Sequence, residues 1–103
     1  MIKFEWDNVK DAINKEKHGV SFAETINVFY DENALLIDDP EHSKDEDRYI
    51  LLGIGAKGDV LTVVHCYRKN DEIIRIISAR KATKNECFAY EKGIDYEKRI
   101  RLH

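Results

Sequence analysis

Two neighbouring stretches of this 103-residue chain set proton-exchanging and cationic side chains inside apolar runs. They are Val63-Val64-His65-Cys66-Tyr67-Arg68 and, after a short break, Ile74-Arg75-Ile76-Ile77-Ser78-Ala79-Arg80-Lys81. Arg75 interrupts an Ile-rich segment that would bury well without it, so its presence costs stability and asks for a reason. Cleavage of RNA through the 2′-hydroxyl supplies one. That reaction needs a base for the hydroxyl proton, cations to stabilise charge building on the phosphorane, and an acid for the leaving oxygen. His65 exchanges protons near neutral pH, while Arg68 and Arg75 hold phosphate oxygens without ever losing charge. The scheme requires no metal ion and no cofactor. Each residue also has an ordinary structural role open to it: a half-buried strand histidine, or an arginine paired with Glu72.

Whether His65 and Arg75 meet depends on the hairpin between them. A three-residue loop at 69 to 71 sets position 65 opposite 75, a cross-strand pair on one face. A two-residue loop moves the pairing by one and puts them on opposite faces.

The elements that must position these residues follow from the pattern. Ile2 to Glu5 alternates as a short edge strand, and Asp7 is placed to cap a helix from about Asn8 to Lys17, with Val9, Ala12 and Ile13 sharing a face and Gly19 as its stop. Ser21-Phe22-Ala23-Glu24 is a capping box that opens a second short helix, about Phe22 to Tyr30, making a helical hairpin. Ala34 to Ile37 is a short apolar run ended by Pro40, and residues 41 to 47 read as a solvated, mobile loop. Three strand-like segments follow, Arg48–Gly55, Val60–Arg68 and Glu72–Ala79, separated by turn residues. They are apolar on both faces, so the sheet is covered on both sides, or covered on one and occupied by a partner on the other. Thr83-Lys84-Asn85-Glu86 is a second capping box, opening a helix that Gly93 ends. Helices followed by strands make an α+β domain: a helical hairpin packed on a four-stranded, largely antiparallel sheet, with a C-terminal helix. One domain is expected over residues 1–103, with a core of about 2–92 and a charged tail, 93–103, in which Ile94, Tyr96 and Ile100 are docking points.

The net charge of −3 hides a division. Residues 1 to 47 carry 5 basic and 13 acidic side chains (5 − 13 = −8), and residues 48 to 103 carry 12 and 7 (12 − 7 = +5), which together restore −3. The basic half is the part suited to an anionic partner. Asp38, Asp39, Glu41 and His42 lack a second clustered ligand set, so no metal site is expected. Gly53-Ile54-Gly55 has no helix after it and is not a nucleotide fingerprint. Cys66 and Cys87 have no zinc spacing and read as reduced thiols of a cytoplasmic protein, and no signal-peptide or membrane-spanning stretch is present.

Phe4-Glu5-Trp6-Asp7, then Lys10, Asn14, Lys17-His18-Gly19-Val20-Ser21-Phe22 and Val28-Phe29, and later Ile74 through Thr83, together resemble the BrnT family of type II toxin–antitoxin toxins. The resemblance spans roughly residues 4 to 90. It implies a RelE-like fold and an endoribonuclease that blocks translation. It implies a BrnA-like antitoxin that neutralises the toxin, with operator DNA bound only through that antitoxin. It supports His65, Arg68 and Arg75 as catalytic residues and marks Lys17, His18, Arg80 and Lys81 as RNA contacts. The alternative reading is a regulatory module in which the same arginines hold a nucleic acid or a protein and nothing is cut.

Overall fold

The computed structural model describes residues 2–38 and 47–93. The elements run β1 (Lys3–Glu5), α1 (Asn8–His18), a 3-10 helix (Ala23–Tyr30), β2 (Leu35–Asp38), β3 (Tyr49–Ile54), β4 (Val60–Arg68), β5 (Ile73–Lys81) and α2 (Lys84–Lys92). The α+β class holds, but the sheet has five strands rather than four and is mixed, in the order β1-β5-β4-β3-β2. The fifth strand is β1, the edge strand expected at Ile2 to Glu5, which joins the sheet parallel to β5 with Phe4 beside Ile74 and Glu5 beside Arg75. All other pairings are antiparallel. Among the described residues no helix is long and apolar enough to cross a membrane. Asp39, Pro40, residues 41–46 of the expected loop at 41 to 47, with Glu41 and His42, and the docking points Ile94, Tyr96 and Ile100 lie outside the described residues.

Local chemistry sets the helices. The Asp7 carboxylate accepts the Val9 and Lys10 amides at 2.8 and 3.2 Å, and Gly19 ends α1 at φ +71°, a conformation an L side chain resists. Ser21 and Glu24 bond each other's amides as the capping box requires. The segment that follows is nevertheless 3-10 and not α. Its Glu24 carbonyl accepts the Ala56 amide at 3.2 Å, and its Phe22 carbonyl accepts both the Thr25 amide and hydroxyl. Carbonyls engaged in this way do not make the i to i+4 bonds of an α-helix. Gly53 and Gly55 bring this helix close to β3: a Cβ on Gly53 would stand 2.8 Å from Val28 Cγ1, and one on Gly55 would strike Leu61.

The face expected to bury α1 does not. Val9 and Ile13 are 68% and 56% exposed, and the buried residue of the helix is Asn14. Its side-chain amide donates to the carbonyls of Ala79 (2.8 Å) and Val20 (2.9 Å), and its oxygen accepts the Ala79 amide (3.1 Å). Strand β1 pairs with β5 only through Arg75. Asn14 therefore takes over where β1 stops, satisfying the next exposed backbone groups of β5 as a strand would.

Alternation along the strands divides the sheet into two faces. One bears Phe4, Leu51, Leu61, Val63, His65, Tyr67, Ile74, Ile76 and Ala79, and buries most of them against Val20, Phe22 and Val28 as the main core. The other bears Thr62, Val64, Cys66, Arg68, Arg75, Ser78 and Arg80, with Glu5 at the β1 end. Helix α2 covers one end of this second face.

Candidate active site

The β4–β5 turn decides the geometry. The Glu72 amide donates to the Lys69 carbonyl (3.2 Å), with Asn70 and Asp71 between them at φ +57° and +69°. These are the φ signs of the tight two-residue hairpin turn, whose twist matches that of the strands. Arg68 consequently faces Ile73, Cys66 faces Arg75 and His65 faces Ile76. The expected His65–Arg75 pair is thus not formed; the other register holds, and the two residues project to opposite sides of the sheet. A shift between Val64 and His65 then brings Ser78 opposite Val64. This bulge returns Ser78 and Arg80 to the face that carries Arg75.

Arg75 and Arg68 come together on a residue that the strand pattern left as an edge charge. Glu5 Oε2 lies 2.8 Å from Arg75 Nη1 and 3.8 Å from Arg68 Nε. The three side chains are 36%, 30% and 50% exposed for Glu5, Arg75 and Arg68, so solvent and solutes reach all of them. Asp7, at the start of α1, lies within electrostatic reach of Arg75, and its carboxyl is held below the usual range by the Lys10 and Val9 amides. What hid Glu5 was its partner: a parallel strand some seventy residues later in the chain. Its only signal was a carboxylate beside the cation-rich block once β1 is laid along β5.

His65 sits in the core with no exposed surface. Its ring meets Phe29 edge-on at 4.9 Å and Tyr67 at 5.1 Å, with Tyr49 at 6.2 Å. Burial drives its pKa from 6.5 down to about 4, against the pull of the Val63 carbonyl. The ring is therefore neutral near pH 7. Its Nδ1 faces the Val63 carbonyl at 3.4 Å, which can only accept, so the ring proton belongs there and Nε2 accepts the Tyr67 hydroxyl at 3.1 Å. Burial, with Tyr49 and Asp71 adding to it, raises the Tyr67 pKa, and the phenol remains a donor. A small cavity of about 160 Å³ opens beside Tyr49 and Tyr67, also lined by Asp47, Cys66 and Asp71.

The remaining cations are dispersed. Arg80 grips Glu86, with its two terminal nitrogens 2.7 and 3.0 Å from the carboxylate oxygens. Glu86 is almost fully buried and also accepts the Thr62 hydroxyl and the Thr83 amide. Burial opposes its ionisation, but Arg80 and the Thr83 amide outweigh burial and hold its pKa below 4.5. Tyr90 fastens α2 further along, donating to Asp31 at 2.6 Å, a bond that with burial pushes the phenol up to about 12. Helix α1 lies beside β5, with Asp7 at its start within electrostatic reach of Arg75 and Asn14 bonded to Ala79, and Lys17 and His18 are on its exposed last turn. Lys81 is exposed and lies 3.7 Å from Asp59. Among the described residues no three His, Cys, Asp or Glu side chains converge as metal ligands would.

A family model, described as the BrnT ribonuclease toxin of type II toxin–antitoxin systems, matches residues 6–86 of the chain. The chain belongs to the BrnT family. The crystal structure of the Brucella abortus ribonuclease toxin BrnT is similar at 25% sequence identity, with a TM-score of 0.63 over 82% of this chain and all of that one. A search of curated proteins gave no match. The chain is thus a BrnT ribonuclease toxin of a type II system, which implies RNA as substrate and a cognate antitoxin as partner.

Proposed function

We propose that this single RelE-like domain, spanning residues 1–103, is a cytoplasmic endoribonuclease that cuts RNA through the 2′-hydroxyl without a metal ion, and so stops translation. The observation that carries this reading is the convergence of Arg75 and Arg68 on one partly exposed carboxylate at the β1 end of the sheet. Each guanidinium presents several N–H donors in a plane, and the Glu5 bond takes one donor of Arg75. Arg75 can therefore hold a phosphate oxygen and stabilise charge as the phosphorane forms, and the Arg68 guanidinium beside it adds positive charge at the same place. His65 belongs to this scheme as a positioning residue. It cannot touch substrate from the core, but it fixes the Tyr67 hydroxyl on the strand that carries Arg68.

Lys17, His18 and Lys81 extend the phosphate track along the α1 side, and Arg80 adds a guanidinium whose charge is already largely balanced by Glu86. A BrnA-like antitoxin neutralises the toxin and carries the complex to operator DNA. The test is purified protein on messenger RNA in EDTA, beside Arg75→Ala and Arg68→Ala. Cleavage by the wild type with a loss of about a hundredfold or more in Arg75→Ala is expected, the scale of a lost charge-stabilising donor. RNA bound but left intact by the wild type would establish the regulatory module instead.

A further inference from the structure

The reaction needs a base, and His65 is out of reach of any substrate. Near the two arginines the described side chains offer few others. Asp7 uses one oxygen on two backbone amides, and its carboxyl is thereby kept from taking protons. Cys66 stands opposite Arg75 but is 2% exposed. Glu5 is accessible, is seated between the cations, and carries a proton-accepting oxygen.

We propose that the Glu5 carboxylate is the general base of RNA cleavage, placed by β1 between the guanidiniums that hold the scissile phosphate. This rests on the reading of the site given above. As the 2′-oxygen attacks phosphorus, its proton passes to a Glu5 oxygen. The P–O5′ bond breaks with its electron pair staying on the 5′-oxygen, which takes a proton from water. The products are a 2′,3′-cyclic phosphate and a 5′-hydroxyl, and Glu5 returns its proton to solvent. Arg75 and Arg68 bring the phosphate to the base, since both guanidiniums lie against the same carboxylate oxygen.

A purely structural Glu5 is a poorer account of the geometry. Strand β1 is already fixed by backbone pairing with β5 and by its aromatic neighbours, Phe4 on Phe29 at 5.3 Å and Trp6 on Phe22 at 6.2 Å. An ion pair this exposed adds little to stability.

Among the described residues, the charged and titratable groups around Glu5 are Lys3 on its own strand, Arg75 and Cys66 from the paired positions of β5 and β4, Arg68 from the end of β4, and Asp7 from the start of α1. The acidic limb of the pH–rate profile is assigned to the general base and to none of these neighbours. The experiment measures kcat against pH for the full chain, Glu5→Gln and Glu5→Asp on an oligoribonucleotide, with binding measured separately on its uncleavable 2′-deoxy analogue. Arg75→Ala is run alongside.

Glu5→Gln keeps a polar contact to Arg75 and should lose about a hundredfold or more in kcat, the usual worth of a general base. It should bind the analogue within about threefold of wild type and lack the acidic limb; Glu5→Asp should retain that limb at reduced rate. A Glu5→Gln enzyme with wild-type kcat, or one that is slower with the acidic limb intact, overturns the proposal. So does loss of binding in both Glu5 variants equal to the loss in kcat. If Arg75→Ala cuts as well as wild type, the site itself is misplaced; if Arg75→Ala is dead and Glu5→Gln is not, only the base is wrong.

Discussion

Replacing His65 by Phe removes a pH sensitivity built into the core. The imidazole is enclosed by Phe29, Tyr49 and Tyr67 and has no exposed surface, and burial lowers its pKa from 6.5 to about 4. Between those values the unfolded chain takes up a proton at this residue and the folded chain does not. The contribution is therefore fully present above pH 6.5 and is lost as pH falls towards 4. The interval is about 2.5 pH units, and at about 1.4 kcal/mol per unit the full loss is about 3 to 4 kcal/mol, of which about 3 kcal/mol is reached at pH 4, where the folded ring is itself half protonated. Phe has no proton to gain, so the stability of His65→Phe relative to wild type should rise by about 3 kcal/mol between pH 7 and pH 4. Carboxylates that titrate in the same range are common to both proteins and cancel. The assay is urea unfolding at several pH values, followed by the fluorescence of Trp6, which is partly buried against Phe22. Equal urea slopes for the two proteins license the subtraction. Parallel stability curves from pH 7 to 4 would refute the placement of a neutral histidine in the core, and with it the exclusion of His65 from the chemistry.

Asn14→Ala removes three buried hydrogen bonds and strips the Ala79 backbone of its partner, and should cost about 3 kcal/mol in chemical denaturation. Arg80→Ala leaves the buried Glu86 carboxylate with only Thr62 and Thr83, and should cost about 2 kcal/mol at pH 7 because water reaches part of the vacated space. Since Glu86 titrates below 4.5 when folded, the stability it lends is present above that value and lost as pH falls through its folded pKa. The penalty of Arg80→Ala should therefore shrink in unfolding experiments at pH 3. Lys17→Ala and Lys81→Ala should each lower the slope of log affinity against log salt by about 0.7 on a single-stranded, uncleavable RNA, as one lost phosphate contact requires.

Much of the fold was readable because its signals are local. Asp7, Gly19 and the two capping boxes, Ser21–Glu24 and Thr83–Glu86, act within a few residues of themselves, and each does in the structure what its spacing requires. The failures are long-range. Strand β1 is three residues long, and its pairing with β5 leaves no periodic trace. The His65–Arg75 relation turned on one residue of loop length, and the Asn70-Asp71 turn resolved it towards opposite faces. Helix α1 was misjudged because its apolar residues are not the ones that bury. The burial is done by Asn14, which works through hydrogen bonds and leaves no hydrophobic periodicity. For the site, both cations Arg68 and Arg75 were visible as charges in apolar strands. Glu5 was not, since nothing near it in the chain is cationic on its own face except Lys3.

The Glu5–Arg75 contact joins residues 70 positions apart, one on the first strand made and the other on the last. A chain still being synthesised has Glu5 outside the ribosome long before Arg75 has been added. Until β5 emerges and pairs with β1 and β4, the two arginines and the carboxylate are not neighbours. With the centre assigned as proposed above, an enzyme directed at RNA is without it for most of its own synthesis, and prematurely terminated products never acquire it.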